Sequence, residues 1–173
     1  VPAQVELFLD GTTLRAVGTT NPNWQQKLEK SWPLIAGIES LDQTKLQVQD
    51  LEAKKLNEHL DALSSQIESL RFSFNSGSSV ISNAEAHTKQ LVPLILDLIS
   101  TARLAGKMPQ IAISGAADET GTEATNGRLA KERALAMRDY LLEQGVPAAV
   151  IAVPKPDTGR RDERSIHYQV DLF

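Results

Sequence analysis

The segment from residue 111 to residue 146 constrains the fold of this chain more than any other part of it. Ile111 and Ile113 alternate with smaller residues, which predicts a half-buried β-strand. A glycine-containing turn with Asp118 follows, and the helical pattern after it ends at Gly145, the residue type that commonly terminates a helix. A strand that passes through a turn into a long helix predicts mixed α and β structure.

The same segment brings three polar side chains to one place. Asn126 and Arg133 are seven residues apart, so they share one face of the predicted helix, two turns apart along its axis. Asp118 lies in the turn that leads into this helix. An acid, an amide and a guanidinium around one strand-to-helix crevice suit the binding of a small zwitterion better than catalysis.

Hydrophobic periodicity predicts two modules, residues 1–69 and 70–173, in an α+β chain. The first has the pattern β-β-α-β-α, with a hairpin at Asp10-Gly11 and a strand at 45–50. The second has the pattern β-α-β-α-β-β, with Asn83 as a helix cap and the helices on one face of a mixed sheet. Charge divides at the same point: residues 1–69 hold 6 basic and 10 acidic residues, and residues 70–173 hold 12 of each.

The composition excludes several classes of function. With 41% hydrophobic and 23% charged residues the chain is globular, and a net charge of −4 without a basic block disfavours nucleic-acid binding. The absence of cysteine removes disulfides and zinc-thiolate sites. No apolar run approaches the length of a membrane span. The chain starts at Val1 without a signal-like segment, so we expect a fragment whose export signal or anchor lies outside it.

Eight positions at fixed spacing carry a family resemblance. The pattern G-x-x-D-x-x-G-x-x-x-x-N-x-x-L-[SA]-x-x-R-A is met by Gly115, Asp118, Gly121, Asn126, Leu129, Ala130, Arg133 and Ala134. It resembles the peptidoglycan-binding core of OmpA-like (OmpA/MotB/Pal) domains. The resemblance covers about residues 70–173 and includes the order of the elements. It implies a periplasmic, cell-envelope protein that tethers a larger, membrane-anchored protein or assembly, such as one of the outer membrane, to the cell wall.

The resemblance also implies a ligand site. In OmpA-like domains the acid and the arginine of this pattern clamp the diaminopimelate of the peptidoglycan stem peptide, so Asp118 and Arg133 take these roles here. Asn126 would orient the turn or the ligand, and Arg164 would fill one of the family's closing arginine positions. The chemistry agrees, because diaminopimelate carries an ammonium and a carboxylate on one carbon. A carboxylate accepts the first, and a guanidinium holds the second by two parallel bonds.

Two departures from the family pattern leave an alternative open. Ala116 and Ala117 stand where the family has histidine and threonine, and the sequence at 154–157 replaces a glycine-rich loop. Asp118 and Arg133 would then form a structural ion pair, and Asn126 would cap the helix. In this alternative the OmpA-like fold serves as a protein-interaction or oligomerisation module with peptidoglycan binding weakened or lost.

The remaining signals do not indicate an enzyme, a metal site or a cofactor. The three histidines fall in separate elements without the acidic spacing of a metal site, and no serine has a nucleophile-elbow setting. Residues 5–18 weakly resemble the opening hairpin of BON-type modules, which implies a spacer or a partner-docking role for residues 1–69. The predicted partners are peptidoglycan and other envelope proteins.

Overall fold

The structure, a computed structural model, describes residues 1–117, 121–156 and 164–173. Its helices and strands confirm the predicted α+β class and both predicted element orders. Short 3-10 helices occur at Trp32–Leu34 and Ala148–Val150. The main elements are β1 (Val5–Asp10), β2 (Thr13–Thr20), α1 (Pro22–Ser31), β3 (Ser40–Val48), α2 (Leu51–Ser69), β4 (Phe72–Ser73), α3 (Glu85–Leu104), β5 (Pro109–Gly115), α4 (Glu123–Glu143), β6 (Ile151–Ala152) and β7 (Ser165–Leu172).

The first unit, Val1–Lys55, is a small sheet with one helix. Its strands lie in the order β1-β2-β3, with β1 antiparallel and β3 parallel to β2. The helix α1 connects the parallel strands β2 and β3. Its start is capped by the Asn21 side chain, which accepts a hydrogen bond of 2.9 Å from the Trp24 N–H. The buried core of this unit consists of Leu14, Ala16 and Leu28.

The second unit, Leu56–Phe173, contains a mixed sheet in the order β4-β7-β5-β6. β7 is antiparallel to both β4 and β5, whereas β5 and β6 are parallel. The ends of β4 and β5 and the start of β7 therefore lie at the same end of the sheet.

The core of this unit forms where α2, α3 and α4 pack against one face of the sheet. Alternate residues of β5 and β7 face the helices, because successive side chains of a strand point to opposite faces. The strand residues of this core include Ile111, Ile113, Ile166 and Tyr168. The helices contribute an aliphatic stripe of fully buried residues, namely Leu60, Ile67, Leu91, Ile95, Leu98, Met137 and Leu141.

The two units divide inside α2, between Lys55 and Leu56. The predicted boundary at 69/70 corresponds instead to the end of this helix. The difference has a simple cause, since Leu60, Leu63 and Ile67 of α2 are buried in the core of the second unit.

Two local expectations are wrong. The strand expected at 45–50 lies at Ser40–Val48, because its pairing with β2 starts earlier. Asn83 does not cap α3; it adopts a φ of 56°, and Ala84 takes the cap position without a side-chain hydrogen bond. Within the part of the chain that the structure describes, no helix is both long and apolar enough to cross a bilayer.

Candidate functional site

The candidate site includes the start of α4, where Thr122 caps the helix. The Thr122 hydroxyl accepts a hydrogen bond of 3.2 Å from the Thr125 N–H and lies 2.9 Å from the Thr125 hydroxyl. The residues of this first turn are exposed. Backbone N–H groups at an exposed helix start favour negative charge, so this end of α4 is suited to an anionic group of a ligand.

Two glycines of the sequence pattern have architectural reasons to be glycine. A Cβ atom on Gly115 would lie 2.0 Å from the Ala130 carbonyl oxygen, because the end of β5 packs directly against α4. Gly121 has a φ of +144°, and a Cβ there would lie 2.9 Å from Oδ1 of Asn126. The half-buried Asn126 side chain therefore lies against the turn that precedes α4.

Arg133 is the centre of the site and is fully buried. Its Nε donates to the Ser78 carbonyl at 2.8 Å, its Nη1 to the Ala116 carbonyl at 2.7 Å and its Nη2 to the Asn75 carbonyl at 3.2 Å. The guanidinium carbon also lies 5.2 Å from the centroid of the Phe74 ring. One side chain thus joins α4 to the segments that follow β4 and β5.

This arrangement gives Arg133 an architectural role. A buried guanidinium is costly unless its donors are satisfied, and backbone carbonyls satisfy three of them here. Asp118, the predicted partner of Arg133 in a clamp or an ion pair, lies outside the described residues. Chain connectivity nevertheless keeps it two residues from Ala116, whose carbonyl accepts from Arg133.

Arg164 is exposed and directly precedes β7. Its carbonyl accepts a hydrogen bond of 2.7 Å from the Phe74 N–H, and the carbonyl of Ser165 accepts one of 2.9 Å from the Ala116 N–H. The start of β7 is thereby tied to both segments that Arg133 holds. Arg133 and Arg164 thus belong to one end of the sheet, whereas Asn126 lies at the turn before α4.

The two alanines that depart from the family pattern are part of the packing. Ala116 is 2% and Ala117 is 6% exposed. Apolar side chains there replace the polar ones that the resemblance leads one to expect. The segment between β5 and residue 118 is therefore held by its backbone hydrogen bonds and by burial of two methyl groups.

Sequence reasoning missed two histidine contacts near this end of the sheet, one buried and one partly buried. His167 Nε2 lies 3.1 Å from the Ser165 hydroxyl, and the alternation of the last strand could have placed these two residues on one face. His87 Nε2 lies 2.8 Å from the Tyr168 hydroxyl, and the two rings stack. Burial lowers the pKa of His87 and raises the pKa of Tyr168.

Among residues 1–117, 121–156 and 164–173, no group of three or more His, Asp or Glu side chains is placed to hold a metal ion. The site as described consists of a buried guanidinium, backbone carbonyls, an exposed helix start and an exposed arginine. Such groups recognise charged and polar ligands by hydrogen bonds.

The fold and the site define an α+β domain in which a buried arginine joins α4 to the segments that follow β4 and β5. A family model described as the OmpA family matches residues 73–168, which is more than half of the chain. The chain therefore belongs to the OmpA family, and the resemblance predicted for residues 70–173 is confirmed. The match does not extend to the first unit, so the BON-like resemblance of residues 5–18 stays a prediction.

Two solved structures are similar to this chain. The peptidoglycan-associated lipoprotein from Burkholderia pseudomallei is 19% identical, with a TM-score of 0.42 over 58% of this chain and 89% of that one. The OmpA-like domain of FopA1 from Francisella tularensis subsp. tularensis SCHU S4 is 16% identical, with a TM-score of 0.42 over 60% of this chain and 70% of that one. A search of curated proteins gives no significant match.

Proposed function

We propose that the second unit binds peptidoglycan non-covalently through the diaminopimelate of the stem peptide and tethers a larger envelope protein or assembly to the cell wall. The observation that carries this proposal is the position of Arg133 in a chain of the OmpA family. Its guanidinium is held by the Ala116 carbonyl, two residues before Asp118. The family's acid and arginine thus come from adjoining segments of this chain.

The proposed clamp uses opposite charges on one carbon of the ligand. The Asp118 carboxylate accepts the ammonium group of diaminopimelate, and Arg133 donates to its carboxylate. Asn126 supports the turn between them, and Arg164 stands at the rim. The three carbonyls that hold Arg133 fix its side chain before the ligand arrives, which lowers the entropy cost of binding.

The affinity of a single site is expected to be modest. Charge-assisted hydrogen bonds contribute roughly 1.5–3 kcal/mol each, and a large share of that is offset by the cost of association. A wall polymer presents many copies of the stem peptide, so avidity strengthens attachment. In this proposal the chain is periplasmic, non-enzymatic and free of cofactors, as part of an exported, membrane-anchored protein.

A second candidate function is a protein-interaction or oligomerisation module built on the same fold. The observation in its favour is the bonding of Arg133, because its hydrogen bonds to three backbone carbonyls give this arginine a structural role that needs no ligand. The packed methyl groups of Ala116 and Ala117 favour it too. In this case the domain would keep its fold but would not pellet with the cell wall.

Sedimentation with purified sacculi that contain diaminopimelate distinguishes the two functions. We expect the wild-type chain to pellet. In a titration with sacculi, Asp118→Asn should weaken the apparent affinity by about tenfold, since one charge-assisted bond is lost. Glu143→Gln is the matched control, because Glu143 is an exposed acid at the opposite end of α4 from the candidate site. A wild-type chain that stays in the supernatant, or an Asp118→Asn variant that pellets equally well, would support the interaction module instead.

Arg133 needs a separate design because it is buried. Loss of sacculus binding in Arg133→Ala has meaning only if the variant keeps its far-UV circular dichroism. Arg133→Lys retains the charge but cannot serve three carbonyls in the same plane. We expect both variants to bind less than wild type and the lysine variant to retain more structure.

A further inference from the structure

An open cleft of about 510 Å³ lies beside the segment that Arg133 holds. It is formed by residues at the end of α2, along β4 and at the start of β7. The polar and charged residues that line it are Arg71, Ser73, Asn75, Ser76, Arg164 and Ser165. A volume of this size is within the range of ligand-binding pockets, roughly 300–1,000 Å³.

The charged side chains that line the cleft, among the residues that the structure describes, are all cationic. They are Arg71 and Arg164, and both are exposed. Nη1 of Arg71 donates to the carbonyls of Glu68 and Leu70, which holds the guanidinium at the end of α2. Among the residues that the structure describes, no carboxylate forms an ion pair with Arg71. Two guanidinium groups and hydroxyl groups in one cleft favour an anion.

The cleft and the proposed clamp share a wall. The Asn75 carbonyl accepts from Nη2 of Arg133, and the Phe74 ring lies against its guanidinium. Both of these residues also line the cleft. The Ser165 carbonyl adds a link, because it accepts from the N–H of Ala116. A ligand held at Arg133 is thus separated from the cleft only by this segment of backbone.

We infer that this cleft binds a second carboxylate of the same wall ligand, on the stem-peptide residue next to diaminopimelate. Arg71 and Arg164 are the cationic partners of that carboxylate. The inference rests on the proposed function and deepens it, because it extends the recognised ligand from one zwitterionic carbon to an acidic peptide. Neither Arg71 nor the cleft belongs to the sequence pattern that carries the family resemblance.

Calorimetric titration of the whole chain with two probes tests this inference. One probe is meso-diaminopimelate, which reaches only the clamp, and the other is γ-D-glutamyl-meso-diaminopimelate, which adds a neighbouring carboxylate. We expect the dipeptide to bind more tightly to wild type. We expect Arg71→Gln to weaken dipeptide binding by about tenfold, the value of one charge-assisted bond, with no change for diaminopimelate. Arg71→Lys should restore part of the loss because it keeps the charge.

Arg103→Gln is the matched control. Arg103 is an exposed arginine in the last turn of α3, which leads to the opposite end of β5 from Gly115. We expect this variant to bind both probes as wild type does. Unchanged diaminopimelate affinity and thermal unfolding in Arg71→Gln exclude a general loss of structure as the cause of weaker dipeptide binding.

The outcomes separate the cleft from the clamp. Equal dipeptide affinity in wild type and Arg71→Gln overturns the cleft alone. Dipeptide binding that depends on Arg71, without any binding of diaminopimelate, supports the cleft and overturns the clamp. No binding of either probe overturns both. Inorganic phosphate that displaces the dipeptide more effectively than N-acetylglutamate does would overturn the assignment to a carboxylate.

Discussion

The two units of this chain hold an arginine in opposite ways. In the first unit, Arg15 is exposed and lies 3.0 Å from Asp10 and 3.5 Å from Asp42. In the second unit, Arg133 is fully buried and donates to three backbone carbonyls. The comparison shows that a guanidinium can be taken out of water where several backbone carbonyls converge, whereas Arg15 remains at the surface with carboxylate partners.

The cores of the two units explain this contrast. The buried core cluster of the first unit contains three residues. The buried core cluster of the second unit contains nineteen of its described residues. Only the larger core has enough surrounding structure to fix the loops after β4 and β5 around one side chain. Stability of the second unit should therefore depend on a few buried contacts, and the first unit should tolerate changes at its surface.

The largest expected effect is that of Arg133→Met. This variant leaves the carbonyls of Asn75, Ser78 and Ala116 without their donor, and we expect the free energy of unfolding of the second unit to fall by about 3 kcal/mol or more. Urea denaturation followed by far-UV circular dichroism measures the change. A loss below about 1 kcal/mol, the value of an ordinary exposed ion pair, would show that Arg133 does not brace the fold.

The aromatic residues allow the two units to be followed separately. Both tryptophans, Trp24 and Trp32, are in the first unit, and both tyrosines, Tyr140 and Tyr168, are in the second. Tryptophan fluorescence therefore reports on the first unit and serves as the internal control for Arg133→Met. We expect its transition to be the same in the variant and in wild type.

A somewhat smaller loss is expected for Gly115→Ala. The new methyl group would lie 2.0 Å from the Ala130 carbonyl oxygen, so β5 and α4 must move apart. We expect a loss of about 1–3 kcal/mol, typical of overpacking. Gly127→Ala is the control, because a Cβ at this helical position has no neighbour within 4 Å. It should stabilise α4 by about 0.5–1 kcal/mol, and destabilisation equal to that of Gly115→Ala would contradict the account.

A smaller effect is expected from the pH dependence of His87. Burial lowers the pKa of this side chain below its ordinary value of 6.5 in the folded chain. The unfolded chain therefore takes up a proton at a higher pH than the folded chain does. Stability of the second unit should fall as the pH drops below 6.5 and through the lower pKa of the folded state.

His87→Gln isolates this contribution. Glutamine cannot titrate, but it can still form a hydrogen bond with the Tyr168 hydroxyl, which His87 contacts at 2.8 Å. Urea midpoints measured between about pH 5 and 8 should fall less steeply with acidification in the variant than in wild type. The same slope in both proteins would show that His87 is not the group responsible.

The smallest effect is expected for Arg15→Met in the first unit. Its ion pairs with Asp10 and Asp42 are exposed, and such pairs contribute about 0–1 kcal/mol. Tryptophan fluorescence during urea denaturation measures this change. A loss as large as that of Arg133→Met would remove the contrast between the two units.

Much of the fold could be predicted because periodicity reports burial directly. The alternation of Ile111 and Ile113 predicts the strand β5, and the Asp10-Gly11 pair predicts the hairpin of β1 and β2. The division between the units could not be located in the same way. A helix with one apolar face has the same pattern whichever core buries it.

The candidate site could be predicted less completely. The spacing of Asn126 and Arg133 placed both on α4, but their surroundings depend on backbone atoms that no side-chain pattern encodes. Two of the three carbonyls that hold Arg133, those of Ser78 and Asn75, are 55 and 58 residues away in sequence. For the same reason the sequence does not indicate a role for Arg71, which lines the same cleft as Arg164 only in the folded chain.

The central claim is that an acid and an arginine of this chain recognise the zwitterionic carbon of diaminopimelate. Some cell walls carry lysine at the same position of the stem peptide, which supplies an ammonium group without the carboxylate. Sedimentation of the wild-type chain with both types of sacculi, at equal mass, compares the two ligands directly. We expect the chain to pellet with diaminopimelate-type sacculi and to stay in the supernatant with lysine-type sacculi. Equal pelleting with both, or with neither, would contradict it.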